Sequence, residues 1–276
     1  MKKSSYLESL FSLNGLTNVN IELTSRCNKG DGTPGSGCWM CGRRKVERDY
    51  PELAKWGDMD YELVKSIALQ LPSDITIQFH DNGEPLLYPR LGEALSLFQG
   101  NLRCLDTNGK LLIEKAEEII GNLDTITVST FEGDIEGDEQ REIVREFQKI
   151  KGNRKPRIII RQLGNVSHLY PEYLIARRQF HSPMGSYEYQ KPPTIPEIGI
   201  CLEALSHLAI KRDGAVSMCV RFDPMGEGVI GNACDTPLNE IWEGLPRKLA
   251  LGYHITGERH LIPLCGKCEY WGIPGN

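Results

Sequence analysis

Between Arg26 and Arg44 the chain reads RCNKGDGTPGSGCWMCGRR, which places Cys27, Cys38 and Cys41 within nineteen residues. Ten residues separate the first two thiols and two separate the second pair. A second group lies downstream: Cys201, Cys219, and then Cys265 and Cys268 in LCGKCEYWG. Thiolates ligate zinc and iron–sulfur clusters, and they also serve redox exchange. The nine cysteines are an odd count, and Ser4, Ser5, Glu8 and Ser12 interrupt any apolar signal after Met1-Lys2-Lys3. A secreted disulfide framework therefore fits poorly, and metal ligation is the expected role. The first group has no obvious fourth ligand, since the next histidine is His80, on a later segment. A structural zinc site closes four ligands, whereas a cubane held by three thiolates keeps one iron open to a substrate or cofactor. The four thiols of the second group suit either a zinc ribbon or a fully ligated cluster.

The rest of the composition narrows the class. The chain has 276 residues, 40% hydrophobic and 25% charged, enough for a sizeable core. A net charge of −5 argues against a nucleic-acid binder. No apolar run is long enough to span a bilayer, so a cytoplasmic protein is expected.

The elements that must hold the thiols alternate in type. Asn18 to Leu23 alternates polar and apolar residues and leads straight into Cys27, so that thiol is expected just past a strand. Strands are expected again at 74–79, 102–105, 126–129 and 157–161. Helical spacing is expected at 61–71, with Asp58 or Asp60 as N-cap, and at 91–98, 111–120 and 138–150. This order predicts an α/β protein, a partial (β/α)6 TIM-like barrel with parallel strands and its chemistry at their C-terminal ends. Asp81-Asn82-Gly83-Glu84, Asn108 and Ser129 fall at such ends. The expected division is an extension over 1–17, a barrel core over 18–180, a Pro-rich linker over 181–199, and a small cysteine-rich domain over 200–276 with a β-hairpin turned at Asp213-Gly214.

IELTSRCN followed by CWMC resembles the start of radical S-adenosylmethionine (SAM) enzymes, in which three cysteines hold a 4Fe–4S cluster and SAM chelates the fourth iron. The family spacing is three residues and then two, and here it is ten and then two. The Gly-rich insert from Asn28 to Gly37 can loop outward, because closure cost grows slowly with length. FHDNGEPLLYP resembles the family's Gly-Gly-Glu motif, with Asn82 in place of the first glycine, followed by Gly83 and Glu84. The turn LDTNG contains Asn108. TVSTFEG places Ser129, and RIIIRQLGN places Arg161, where the family binds the ribose or carboxylate of SAM. Met40 stands where an aromatic residue is usual, near the adenine. CLEALSHLAIKRDGAVSMC, the Gly231-Asn232 turn, LNEIW and the final C-x-x-C are similar to the SPASM and twitch extensions of these enzymes, and the shorter twitch form fits best.

The resemblance implies SAM and two 4Fe–4S clusters as cofactors: Cys27, Cys38 and Cys41 for the first, and Cys201, Cys219, Cys265 and Cys268 for an auxiliary one. It implies reductive cleavage of SAM and hydrogen abstraction from a small-molecule, nucleoside or peptide substrate, with flavodoxin or ferredoxin as reducing partner. The net reaction is a dehydrogenation if an electron leaves, and an isomerisation or epimerisation if none does. Cys234, after the Gly-Asn turn, is then a candidate catalytic thiol that returns hydrogen, beside inert and ligand roles. An isomerase of a modified thymidine in DNA is the alternative within the family. A non-catalytic zinc protein stapled by both cysteine groups is the alternative from another class. Cys104 is expected as a small buried residue, and Arg43-Arg44-Lys45 as a solvated run.

Overall fold

The computed structural model describes residues 12–30, 37–177 and 199–268. Within them nine strands form a single sheet, ordered β6-β5-β4-β3-β2-β1-β7-β8-β9 and open at both edges. The first six are β1 (Asn18–Ile21), β2 (Thr76–Phe79), β3 (Leu102–Thr107), β4 (Thr125–Phe131), β5 (Arg157–Leu163) and β6 (Leu174–Arg177), each parallel to its neighbour. They make the expected partial barrel. The central strands are apolar because both faces are covered. Val19, Ile21, Ile77, Phe79, Ile126, Val128 and Ile160 are all sealed from solvent. Burial of each such side chain contributes about 1.5–3 kcal/mol before the entropy of ordering is set against it.

Helices fill the crossovers. α1 (Gly42–Asp49) and α2 (Tyr61–Gln70) connect β1 to β2, α3 (Leu91–Ser96) precedes β3, α4 (Ala116–Ile119) precedes β4, and α5 (Gly137–Lys151) precedes β5. The Asp60 side chain caps α2 by accepting from the Glu62 N–H. α5 buries Val144 and Phe147 and turns ion pairs such as Glu142–Arg145 outward, as its alternating charges foretell. Three elements differ from expectation, α1 among them, since no helix is expected over Gly42–Asp49. The helix expected at 111–120 is helical only from Ala116, because Leu112 folds back to the Gly109 carbonyl in a turn. β6 escapes sequence reading because it has four residues, is half exposed and lies at an edge.

The C-terminal part is joined to the barrel more closely than a separate small domain would be. α6 (Leu202–Ser206) leads into β7 (His207–Ile210), which pairs parallel with β1 over Asn18–Ile21. β8 (Ala215–Ser217) and β9 (Val229–Asn232) continue antiparallel. α7 (Leu238–Trp242), α8 (Leu245–Ile255) and α9 (Pro263–Gly266) follow. The expected linker over 181–199 lies, but for its last residue, outside the described residues. No helix among the described residues is long and apolar enough to cross a membrane.

Candidate active site with two cysteine cavities

Cys27, Cys38 and Cys41 open onto one cavity of about 430 Å³ at the C-terminal ends of β1 to β6. The loop after β1 delivers Cys27, and the turn before α1 delivers the others, with the Cys41 N–H donating to the Cys38 carbonyl at 3.0 Å. The Lys29 N–H points at the Cys27 sulfur. Burial pushes the Cys27 thiol up, and burial together with its two neighbouring thiols pushes Cys38 up to about 12. The buried Cys27 and Cys38 thiols, with Cys41 beside them, suit a cationic group bound among the three sulfurs.

The ten-residue insert leaves this geometry intact because its neck is pinched. The Arg44 guanidinium donates to the Lys29 carbonyl at 3.1 Å, and Gly37 lies against the same carbonyl. The Lys29 ammonium, almost wholly buried, pairs with Asp134 at 2.7 Å and Glu136 at 2.9 Å, and Lys110 pairs with Glu136 at 2.8 Å. Residues 31–36 lie outside the described residues. The expected solvated run at 43–45 is instead α1's first turn. Arg43 reaches the Ser25 carbonyl at 3.1 Å and stacks over Trp56, while Lys45 pairs with Asp49.

The strip Asn82-Gly83-Glu84 borders the same cavity. Its backbone lies directly on the chain leading to Cys27: a Cβ on Gly83 would stand 1.9 Å from the Thr24 carbonyl oxygen, and the Glu84 N–H donates to the Arg26 carbonyl at 2.7 Å. Only glycine permits that approach. The Glu84 carboxylate faces inward, accepting from the Leu86 and Asn108 N–H groups and the Thr107 hydroxyl, and burial pushes it up to about 7. Glu84 thus fixes the β3 turn, and the strip offers the cavity its backbone. Asn108 donates to the Asn28 side chain at 2.8 Å. Ser129 and buried Met40 line the cavity as expected. Arg161 lines it too, but its guanidinium is already paired with Asp106.

Sequence reading did not find Glu22 and Lys211, nor their link to Asp81. Glu22 accepts from both the Asn82 N–H and its carboxamide at 3.3 Å, and from the Arg212 N–H at 3.2 Å. Burial, then the charge of Asp81, pushes it up to about 7. Lys211, on the β7–β8 turn, pairs with Asp81. Burial works against its charge, but Asp81 and Glu22 outweigh that and raise it. The triad joins the C-terminal hairpin to the strip.

Cys201, Cys219, Cys265 and Cys268 together line a second, small cavity. Cys201 stands at the N-cap of α6 and its sulfur faces the N–H groups of Glu203 and Ala204, while Cys219 faces the Arg221 N–H. Burial pushes Cys265 up to about 12, and Cys219 also rises through burial. The buried Arg259 binds the carbonyls of Cys265 and Cys268 and so shapes the C-x-x-C turn. N–H groups aimed at sulfur are the surroundings a ligating thiolate needs. In neither group do three described side chains converge closely enough to hold a single metal ion. A cubane differs in binding each thiolate to a separate iron. Residues 201–269 match the family model of SPASM, an iron–sulfur cluster-binding domain.

The solved structure of BtrN in complex with AdoMet and 2-DOIA is similar over 92% of both chains, at 19% identity and a TM-score of 0.63. The chain has the radical SAM enzyme fold. Histidine-tagged anSMEcpe with bound AdoMet matches 87% of this chain and 81% of its own, at 14% identity and a TM-score of 0.59. Streptococcus suis SuiB bound to precursor peptide SuiA matches 95% and 73%, at 14% identity and 0.55. These solved proteins are radical SAM enzymes with SPASM or twitch domains. No curated protein matches the sequence.

Two cysteines stand apart. Cys234 is exposed, lines none of the described cavities, and is held against the β7–β8 turn by its N–H to the Asn232 carboxamide and its thiol to the Asp213 carbonyl. It borders neither cysteine-lined cavity, so its placement alone supports no catalytic part for this thiol. Cys104, on β3, is half-buried.

Proposed function

We propose that this chain is a radical SAM enzyme that dehydrogenates a small polar molecule. In this reading Cys27, Cys38 and Cys41 hold a 4Fe–4S cluster, and the Asn82-Gly83-Glu84 backbone, Asn108 and Ser129 receive SAM. Cys201, Cys219, Cys265 and Cys268 hold an auxiliary cluster. When bound, these groups supply a one-electron cleavage of SAM to a 5′-deoxyadenosyl radical, hydrogen-atom removal from the substrate, and an acceptor for the electron left behind. The protein's own residues position and enclose. Glu22 steadies Asn82, Glu84 steadies the β3 turn, and Phe222 closes the cavity by packing on Gly42, where a Cβ would stand 2.3 Å from its ring.

The observation that carries the reading is the three-thiol wall of one cavity, with the glycine strip laid against it. Dehydrogenation is favoured over isomerisation because the segment from Cys219 to Phe222 runs from the second cavity to the first. A small substrate is supported by the likeness to BtrN over nearly the whole of both chains. A one-electron donor such as flavodoxin or ferredoxin would drive turnover.

Anaerobic reconstitution tests this. Two cubanes require about eight irons per chain, and replacing Cys27, Cys38 and Cys41 by Ala should leave about four. That variant should form no 5′-deoxyadenosine with dithionite and SAM. A colourless zinc protein, or a triple variant that still cleaves SAM, would overturn the assignment.

A further inference from the structure

Among the described residues, Arg221 is the one that lines both cysteine cavities. It stands two positions after Cys219, and its backbone N–H faces that sulfur. Its guanidinium pairs with Glu203 at 3.6 Å, and both side chains are mostly removed from solvent. Glu203 itself lines the second cavity and follows Cys201 by two residues. From Glu203 a further chain of contacts returns to the first cavity. The carboxylate meets His207 Nδ1 at 2.5 Å, His207 Nε2 meets the Asn20 oxygen at 2.7 Å, and the Asn20 amide donates to the His80 carbonyl at 3.2 Å. His80 borders the first cavity.

We infer that Arg221 is a positioning residue that sets the reduction potential of the group held by Cys201, Cys219, Cys265 and Cys268, with Glu203 as its counterweight. The inference rests on the proposed auxiliary cluster. Reduction adds one negative charge to a group whose four thiolate ligands are already anionic. A guanidinium fixed beside one of those sulfurs, in a poorly solvated site, stabilises the reduced form, and an N–H directed at the sulfur acts the same way. The Glu203 carboxylate opposes both. A cation at this point lies on the side facing the first cavity, where an electron leaving the substrate would arrive.

The experiment is a redox titration of the full-length, reconstituted protein followed by electron paramagnetic resonance, with added SAM used to mark the first cluster's signal. Arg221→Gln should lower the auxiliary potential, so that the reduced-to-oxidised ratio at a fixed applied potential falls about tenfold, or about 59 mV for a one-electron couple. Glu203→Gln should shift it the opposite way, and Arg221→Lys should stay near wild type. The signal of the first cluster should not move in any variant. Shifts of opposite sign cannot arise from loosened folding, and Glu203→Gln decides the matter if Arg221→Gln loses its auxiliary iron. Unmoved auxiliary potentials in variants with full iron would overturn the role of Arg221 alone. A wild-type chain without a second cluster would overturn the proposed function, and this inference with it.

Discussion

Gly37 rests on the backbone of Lys29: a Cβ at position 37 would stand 2.9 Å from the Lys29 carbonyl oxygen and 3.1 Å from the Arg44 guanidinium, at a φ of +75°. The insert between Cys27 and Cys38 therefore begins and ends at one point. Gly37→Ala combines a left-handed backbone, costing about 1–2 kcal/mol, with a backbone clash. It should reduce iron at the first cluster by more than half while sparing the auxiliary one, as iron analysis after reconstitution would show. Deleting residues 31–36 keeps both sides of the neck. That variant should retain its iron and its SAM cleavage but turn over substrate poorly, a split that product analysis can read. Wild-type turnover would show the insert to be dispensable, and lost iron would show it to be part of the ligand scaffold.

Lys29→Met should be destabilising by about 3 kcal/mol, because it strands Asp134 beside Glu136 with no buried cation between them. Urea denaturation of the metal-free chain measures this. A change below about 0.5 kcal/mol would mean that water already shares the charge.

Gly83→Ala should weaken SAM binding at least tenfold with iron at Cys27, Cys38 and Cys41 largely kept, since the added methyl pushes the strip off Thr24. Equilibrium dialysis with labelled SAM reads it. Unchanged affinity would remove the strip from the SAM site.

Glu22 gives a pH signature. Its folded-state pKa is about 7 against 4.5 for an ordinary carboxyl, so between those values the folded chain keeps a proton that the unfolded chain has lost. The sign follows: this contribution is present below pH 4.5 and disappears as pH rises toward 7. Glu22→Gln should flatten that decline, gaining on wild type by on the order of 1–3 kcal/mol between pH 4.5 and 7.5. Urea midpoints at those two pH values test it. Parallel curves would place the charge of Glu22 in solvent.

What the sequence disclosed was local. Cys27 directly after an alternating strand, the C-x-x-C pairs and the turn at Asn108-Gly109 each show in a few consecutive residues, and the structure places Cys27, Cys38, Cys41 and Asn108 around one cavity at one end of the sheet. What it hid was pairing at long range. Lys29 meets Asp134 across 105 positions, Lys211 meets Asp81 across 130, and Glu22 meets the Arg212 N–H across 190. No periodicity marks a lone charged residue for such a partner. α1 was hidden differently: GRRKVERD has a single buried residue, Val46, so no apolar stripe announces the helix. Arg161 borders the cavity although β5 runs two residues beyond it, and only the fold shows Asp106 already in its grip.

The strand that leads into Cys27 is also the strand on which β7 is laid. Cys27 and the pair Cys201 and Cys219 are consequently flanked by neighbouring ribbons of one sheet, and a hinge between those segments would have to tear the backbone ladder of β1 and β7. Electron tunnelling falls off steeply with separation, so a spacing fixed by a ladder keeps its rate nearly constant while loops elsewhere move. The C-terminal segment is then less an appended module than a continuation of the barrel's own sheet, and under the proposed function it would serve as a fixed electrode.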